Sequence, residues 1–291
     1  MRVDTIFEQA AAAGTQPVSF EMFPNKGELT LDKSREVATG FAALKPDFIS
    51  VTYSAGGSGN KGATGQISGM IKDEFGISSV AHLTCISLRQ PELEARIGAF
   101  KDAGVETVLA LRGDVPAGVP KGPGYSDYRY AADIIPPLVE AGFCVGCAGY
   151  PEGHIDCESL GKNVHHLRLK QDAGASYIAT QLCFDNANIY RFLDIAEAAG
   201  ITIPITIGIM PFMSKAQVTR MVFMCGASLP SPVIKLVARY GDNENDLRRA
   251  GIDYACRQLQ DLQLHGVDGL HIYTMNRQDV AEACMSALGR A

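Results

Sequence analysis

The sequence predicts an α/β protein built as one (β/α)8 barrel (the TIM barrel fold), a single domain over residues 1–291, and three observations predict it. One unit recurs along the chain: an amphipathic stretch closes on a small residue and a glycine, and a short apolar run follows. Eight such runs are present, most of them continuously apolar rather than alternating, which suits strands covered on both faces of a parallel sheet. Eight β-α units in 291 residues match that barrel in number and size. A doubly wound open sheet is the alternative, because strand count alone does not close a sheet.

The runs follow in order. PVSFEMF (17–23), DFISVTY (47–53) and SVAHLTCI (79–86) are the first three, rich in β-branched and aromatic residues. Lys101-Asp102-Ala103-Gly104 ends the helix that feeds TVLALRG (107–113). Glu140-Ala141-Gly142 leads into FCVGCAGY (143–150), Asp172-Ala173-Gly174 into YIATQLCF (177–184), and Ala198-Ala199-Gly200 into IPITIGIM (203–210). His265-Gly266 precedes GLHIYTM (269–275). The intervening segments read as helices; 214–266 is long enough for more than one, and 278–289 is a short last helix. The polar stretch GDNENDLRR (241–249) reads as a break between helices, not a domain boundary. No linker divides the chain, and the eighth run is followed by the last short helix.

Composition narrows the function. Apolar residues are 46% and charged residues 20%, as in a soluble globular protein. With 26 basic and 32 acidic side chains the net charge is −6, which argues against a nucleic-acid binder. No apolar run approaches the roughly 20 residues of a membrane span. MRVDTIFEQAAAAG does not resemble a signal peptide, and eight cysteines are too sparse for a disulfide scaffold. Reduced thiols in the cytoplasm are expected.

In such a barrel, chemistry gathers at the C-terminal ends of the strands. Those ends carry Glu21, Thr52, Tyr53, His82, Arg112, Asp114, Tyr150, His154, Gln181, Tyr273 and Arg277. Glu21 sits in the apolar run SFEMFP, where a carboxyl tends to keep its proton and can act as an acid; a strand-end carboxylate paired with an arginine is the plainer alternative. LRGD (111–114) places a guanidinium and a carboxylate around a glycine. Gly57 to Gly62 matches G-x-G-x-x-G after the second run, but in a stretch that is simply glycine-rich, so it reads as a loop over the mouth and not a Rossmann fingerprint. Cys144 and Cys147 have C-x-x-C spacing inside an apolar strand and read as buried small hydrophobes; no metal site is expected. His165 and His166 are adjacent on a helix and point to different faces, and Met210, Met213, Met221 and Met224 read as core or pocket lining.

Together, SFEMFPNK, DFISVTYSAGGS, AHLTCI, LRGD, GYPEGH, LKQDAGASYIATQLCFD, ITIGIMP and HIYTMNR resemble, in order, the signature segments of methylenetetrahydrofolate reductase, in its short, catalytic-domain-only bacterial form. They span residues 19 to 277. The resemblance implies a barrel holding FAD that reduces 5,10-methylenetetrahydrofolate to 5-methyltetrahydrofolate with electrons from NADH or NADPH. By the same resemblance Glu21 is the general acid, and Asp114 the carboxylate near pterin and flavin. Gln181, Gln217, Met221, Tyr273 and Arg277 match substrate positions. Thr52, Tyr53, Ala55, His82, Arg112, Gly113, Asp114, Tyr130, Ala131, Tyr150, His154, Asn163, His166 and Lys170 match FAD-contacting positions. The chain departs from the family's pattern in the 57–65 loop, at Asn163 in place of an Asp, at Leu169 in place of a basic residue, and at Met221 where an aromatic commonly stacks, with Phe223 two residues on. Three alternatives follow: direct hydride transfer without flavin, a flavoprotein subunit fed by a redox partner, and a non-catalytic folate or flavin binder. A homo-oligomer is also compatible with the resemblance.

Overall fold

The computed structural model describes residues 1–24, 30–53, 63–114 and 126–290, and in it the eight apolar runs form eight parallel strands. These are β1 (Val18–Met22), β2 (Phe48–Val51), β3 (Ser78–Thr84), β4 (Thr107–Leu111), β5 (Cys144–Gly149), β6 (Tyr177–Thr180), β7 (Ile205–Ile209) and β8 (Gly269–Tyr273). Each pairs with the next, and β8 returns to pair with β1, so the sheet closes and the open-sheet alternative is excluded. The strands stop short of the apolar runs at their C-terminal ends. After β6, for example, Leu182, Cys183 and Phe184 are buried by packing, not by ladder pairing.

The helices are α1 (Val3–Ala13), α2 (Thr30–Ala42), α3 (Ala63–Phe75), α4 (Gln90–Asp102), α5 (Ala131–Glu140), α6 (Leu160–Asp172), α7 (Asn186–Ala198), α8 (Lys215–Cys225), α9 (Ser231–Tyr240), α10 (Glu244–His265) and α11 (Gln278–Ala287). The long 214–266 segment therefore holds three of them. The break expected at 241–249 is shorter than the polar stretch. The Asn243 side chain accepts from the backbone N–H of Asn245 and Asp246 and starts α10 at Glu244, with Glu244 and Asp246 suiting its positive end.

Alternation along the strands makes two cores. Phe20, Met22, Ile49, Leu83, Val145, Ile207 and Ile272 face outward and pack under the helices. Phe7, Phe48, Val80, Leu109, Cys144 and Tyr177 fill the lower interior. The sequence reading gave no role to α1. It lies across the N-terminal end, with the Phe7 ring 5.9 Å from Tyr177 and 6.4 Å from Phe48. That end is plugged with apolar groups, so polar chemistry has only the C-terminal end to occupy. Cys144 and Cys147 fall in the inner and outer cores, both fully buried and free. No helix among the described residues is long and apolar enough to cross a membrane.

Candidate active site

Above the apolar plug the interior turns polar. Glu21 on β1 is flanked in register by Ser50 on β2 and Tyr273 on β8. Its carboxylate lies 3.9 Å from His271 Nε2, and its side chain is 21% exposed. The apolar surroundings expected from SFEMFP are absent, because Phe20 and Met22 point to the helix layer. Glu21 instead faces His82, His271 and Tyr273, and its charge bears on the titration of His82 and Tyr273.

Each of those neighbours is fixed. Ser19 Oγ donates to the Leu270 carbonyl (3.2 Å) and stands 2.8 Å from His271 Nδ1. The Ser19 contact engages Nδ1 and leaves Nε2 facing Glu21. Ser50 Oγ is 2.5 Å from His82 Nε2. Burial lowers the His82 pKa to about 4, although the Glu21 charge opposes it, so the ring is neutral at pH 7. Tyr273 Oη donates to the Thr180 carbonyl (2.8 Å), and burial, with the Glu21 charge, pushes its pKa well up. Its ring lies against β7 at Gly208, where a Cβ would come 2.6 Å from Tyr273 Cε2.

One side of the rim carries N–H donors from Arg112, His154 and Lys170. After β4, Arg112 Nη2 pairs with Asp156 (3.0 Å) and its Nε donates to the Gly113 carbonyl (3.3 Å). Gly113 has φ +80°, and a Cβ there would meet Thr84 at 2.8 Å, so a glycine is needed for the turn. Asp114 follows, exposed, and its charge reaches Tyr150, His154 and Cys225. Burial pushes the Tyr150 phenol up to about 12. The His154 ring stands edge-on to Tyr150 at 4.8 Å, and its Nδ1 accepts the Asp156 N–H (3.0 Å), which leaves Nε2–H as a donor. Burial, then Arg112, lowers the His154 pKa. Asn163 on α6 stitches this loop: its Oδ1 accepts the His154 N–H (3.3 Å) and its Nδ2 donates to the Tyr150 carbonyl (3.3 Å). Lys170 Nζ donates to the Ala148 carbonyl (2.8 Å), 6.0 Å over the Tyr150 ring, and burial lowers its pKa. His166 stands exposed beside His165, ring centroids 6.2 Å apart, and is not buried with Asn163.

Thr52 and Tyr53 extend from β2; the Thr52 N–H donates to Met22 (2.9 Å) and its carbonyl accepts the Thr64 hydroxyl (3.1 Å), while burial raises the Tyr53 pKa. Tyr130, 56% exposed, and buried Ala131 start α5. Ala55 and the 57–62 glycine-rich stretch lie outside the described residues. Arg112, His154 and Lys170 together offer N–H donors against the Tyr150 loop, and that set fits the diphosphate of a flavin dinucleotide.

The other side of the rim carries amides. Gln181 Oε1 accepts the Leu182 N–H (2.9 Å) and Gln217 Oε1 accepts the Met213 N–H (2.8 Å). Met210 is buried and Met221 packs beside it with Tyr273, as pocket lining. Met224 departs from that expectation: it is 52% exposed, because the buried residue of α8 is Val218 and the helix turns its last residues outward. Phe223 is 76% exposed. Arg277 caps α11 and pairs with Asp279 (3.1 Å). The sequence reading missed Ser19, Ser50 and His271. Their signal was period-two alternation inside runs read as uniformly apolar.

The methylenetetrahydrofolate reductase family model matches residues 6–289. The chain is 34% identical over 284 residues to 5,10-methylenetetrahydrofolate reductase of Escherichia coli, covering 96% of this chain and 93% of that protein. It is 32% identical over 248 residues to methylenetetrahydrofolate reductase 1 of Schizosaccharomyces pombe, 84% of this chain but 41% of that longer protein. Among solved structures it resembles an uncharacterized protein from Clostridium thermocellum that binds two copies of 5-methyl-5,6,7,8-tetrahydrofolic acid, with a TM-score of 0.65 over 97% of both chains. At 12% identity that likeness speaks for the fold alone. With a family match over nearly its whole length and a bacterial relative matched almost end to end, the chain belongs to the methylenetetrahydrofolate reductase family.

Proposed function

We propose that the chain reduces 5,10-methylenetetrahydrofolate to 5-methyltetrahydrofolate with FAD as hydride carrier and NADH or NADPH as electron source. The single observation that carries this reading is the carboxyl of Glu21, held in the barrel mouth beside His271 Nε2 with its side chain still 21% exposed to an incoming substrate. Family membership supports the folate reduction, and the donor set of Arg112, His154 and Lys170 supports the flavin. Bound there, FAD would supply hydride transfer from nicotinamide to folate.

The protein supplies a proton and a field. Glu21 donates its proton to N10 of the imidazolidine ring, the bond from N10 to the bridging carbon breaks, and the N5 iminium is left to receive the hydride. His271, turned by Ser19, places Nε2 3.9 Å from the Glu21 carboxylate. His82 stays neutral and adds no positive charge against the cation. Asp114 at the rim supplies negative charge that favours the iminium. Gln181 and Gln217 offer amides to the pterin, and Arg277 faces the charged tail expected of a folate.

An absorbance spectrum tests the reading. The purified protein should be yellow, bleach with NADH or NADPH, and regain colour with methylenetetrahydrofolate. A colourless protein that still reduces the folate would establish direct hydride transfer instead. Bleaching that requires a copurifying protein would establish a subunit of a larger complex.

A further inference from the structure

We propose that Glu152 is a positioning residue that sets α8 over the barrel mouth and couples the loop after β5 to the helix carrying Gln217 and Met221. Helix α8 is thinly packed, with Val218 its buried residue. A helix with so little apolar contact takes its orientation from what holds its ends. At the N-terminal end Ser214 Oγ accepts the Gln217 N–H (3.1 Å), and Gln217 Oε1 accepts the Met213 N–H (2.8 Å). At the C-terminal end Gly226 closes the helix in a left-handed conformation, and the next segment is bound to one carboxylate. The Ser228 N–H donates to both Glu152 oxygens (3.2 and 3.3 Å), and the Ser228 hydroxyl donates to Glu152 Oε1.

That carboxylate is itself anchored. Asn188 Nδ2, from α7, donates to Glu152 Oε1 at 3.0 Å. Ile155 packs beneath the same helix end: a Cβ at Gly226 would lie 3.5 Å from Ile155 Cβ. Glu152 is thus the junction of three segments, the loop after β5, α7 and the exit of α8. Two residues on either side of it stand Tyr150 and His154, on the side of the rim that carries Arg112 and Lys170. Hydrogen bonds to a charged acceptor are short and directional, so this junction fixes an angle as well as a distance. No β-strand residue takes part in it, so its loss leaves the barrel ladder intact.

The kinetic arm of the test rests on the proposed folate reduction; the exchange arm does not. Hydrogen exchange by mass spectrometry on E152A should show amides of 219–230 exchanging at least about tenfold faster, with the eight strands unchanged. KM for methylenetetrahydrofolate should rise about tenfold, with a smaller change in kcat. E152Q, which keeps an acceptor oxygen, should recover most of both, and N188A should shift both in the same direction as E152A. Exchange in α8 equal to wild type in E152A, or acceleration spread equally over the strands, overturns the proposal. If E152A does not fold, E152Q and N188A decide it by the same exchange readout.

Discussion

Replacing Gly208 by alanine tests the floor of the site quantitatively. Gly208 lies on β7 opposite His271, and a Cβ there would sit 2.5 Å from the Thr180 carbonyl oxygen and 2.6 Å from Tyr273 Cε2. The carbonyl belongs to the barrel backbone and yields little, so the tyrosine ring must move. Its movement breaks the 2.8 Å bond from Tyr273 Oη to Thr180. Overpacking of this kind costs about 1–3 kcal/mol. A buried phenol left without a partner costs about 1–3 kcal/mol more. The variant should therefore lose about 2–6 kcal/mol of stability. For 291 residues the unfolding entropy is about 0.6 kcal/mol/K, so Tm should fall by about 3–10 °C. Thermal unfolding followed by circular dichroism reads this directly. In a Tyr273→Ala background the same glycine change should cost less, because the ring is no longer there to displace. An unchanged Tm for Gly208→Ala, or an equal loss in both backgrounds, would refute the reasoning.

Two further outcomes follow from the buried titrating groups. His82 titrates near 4 in the folded protein against an ordinary 6.5. The unfolded chain therefore takes up a proton first as pH falls, so the stability is full above 6.5 and is lost toward 4, by about 2 kcal/mol at pH 5. Urea midpoints at pH 7 and 5 should show that loss in the wild type and a smaller one in His82→Gln; identical losses would contradict it. Among the thiols, the hydrogen bond from Cys284 lowers the pKa of half-buried Cys256, whereas burial pushes Cys85 up to about 12 and Cys144 and Cys147 up to about 11. Limiting iodoacetamide followed by peptide mass spectrometry should find Cys256 alkylated well before those three.

The barrel was legible because each strand's outward face carries residues such as Ile49, Leu83, Val145 and Ile207, which read as apolar whatever lies on the other face. Length and the helix-closing glycines did the rest. The interior was harder to read. Ser19 and His271 meet across the β1–β8 seam at 2.8 Å although 252 positions separate them, and only closure of the sheet brings them together. Glu21 stood out because a carboxylate is conspicuous in SFEMFP, but the sequence placed it among apolar neighbours because a one-dimensional window mixes the two faces of a strand. Single helix faces were ambiguous for the same reason. Met210 and Met224 looked alike in sequence, yet one is buried below the mouth and the other is exposed at the end of α8. Plugging by α1 was invisible because nothing local to VDTIFEQAAAA states which end of the barrel it covers.

The most direct measurement separates the two half-reactions in Glu21→Gln, followed by stopped-flow absorbance of the flavin. Reduction by NADH or NADPH should keep its wild-type rate, because no proton from position 21 is needed to move a hydride from nicotinamide. Reoxidation by methylenetetrahydrofolate should fall by at least about a hundredfold, the lower range of what a positioned acid contributes. Reoxidation at the wild-type rate would contradict the assignment of Glu21 as the proton donor.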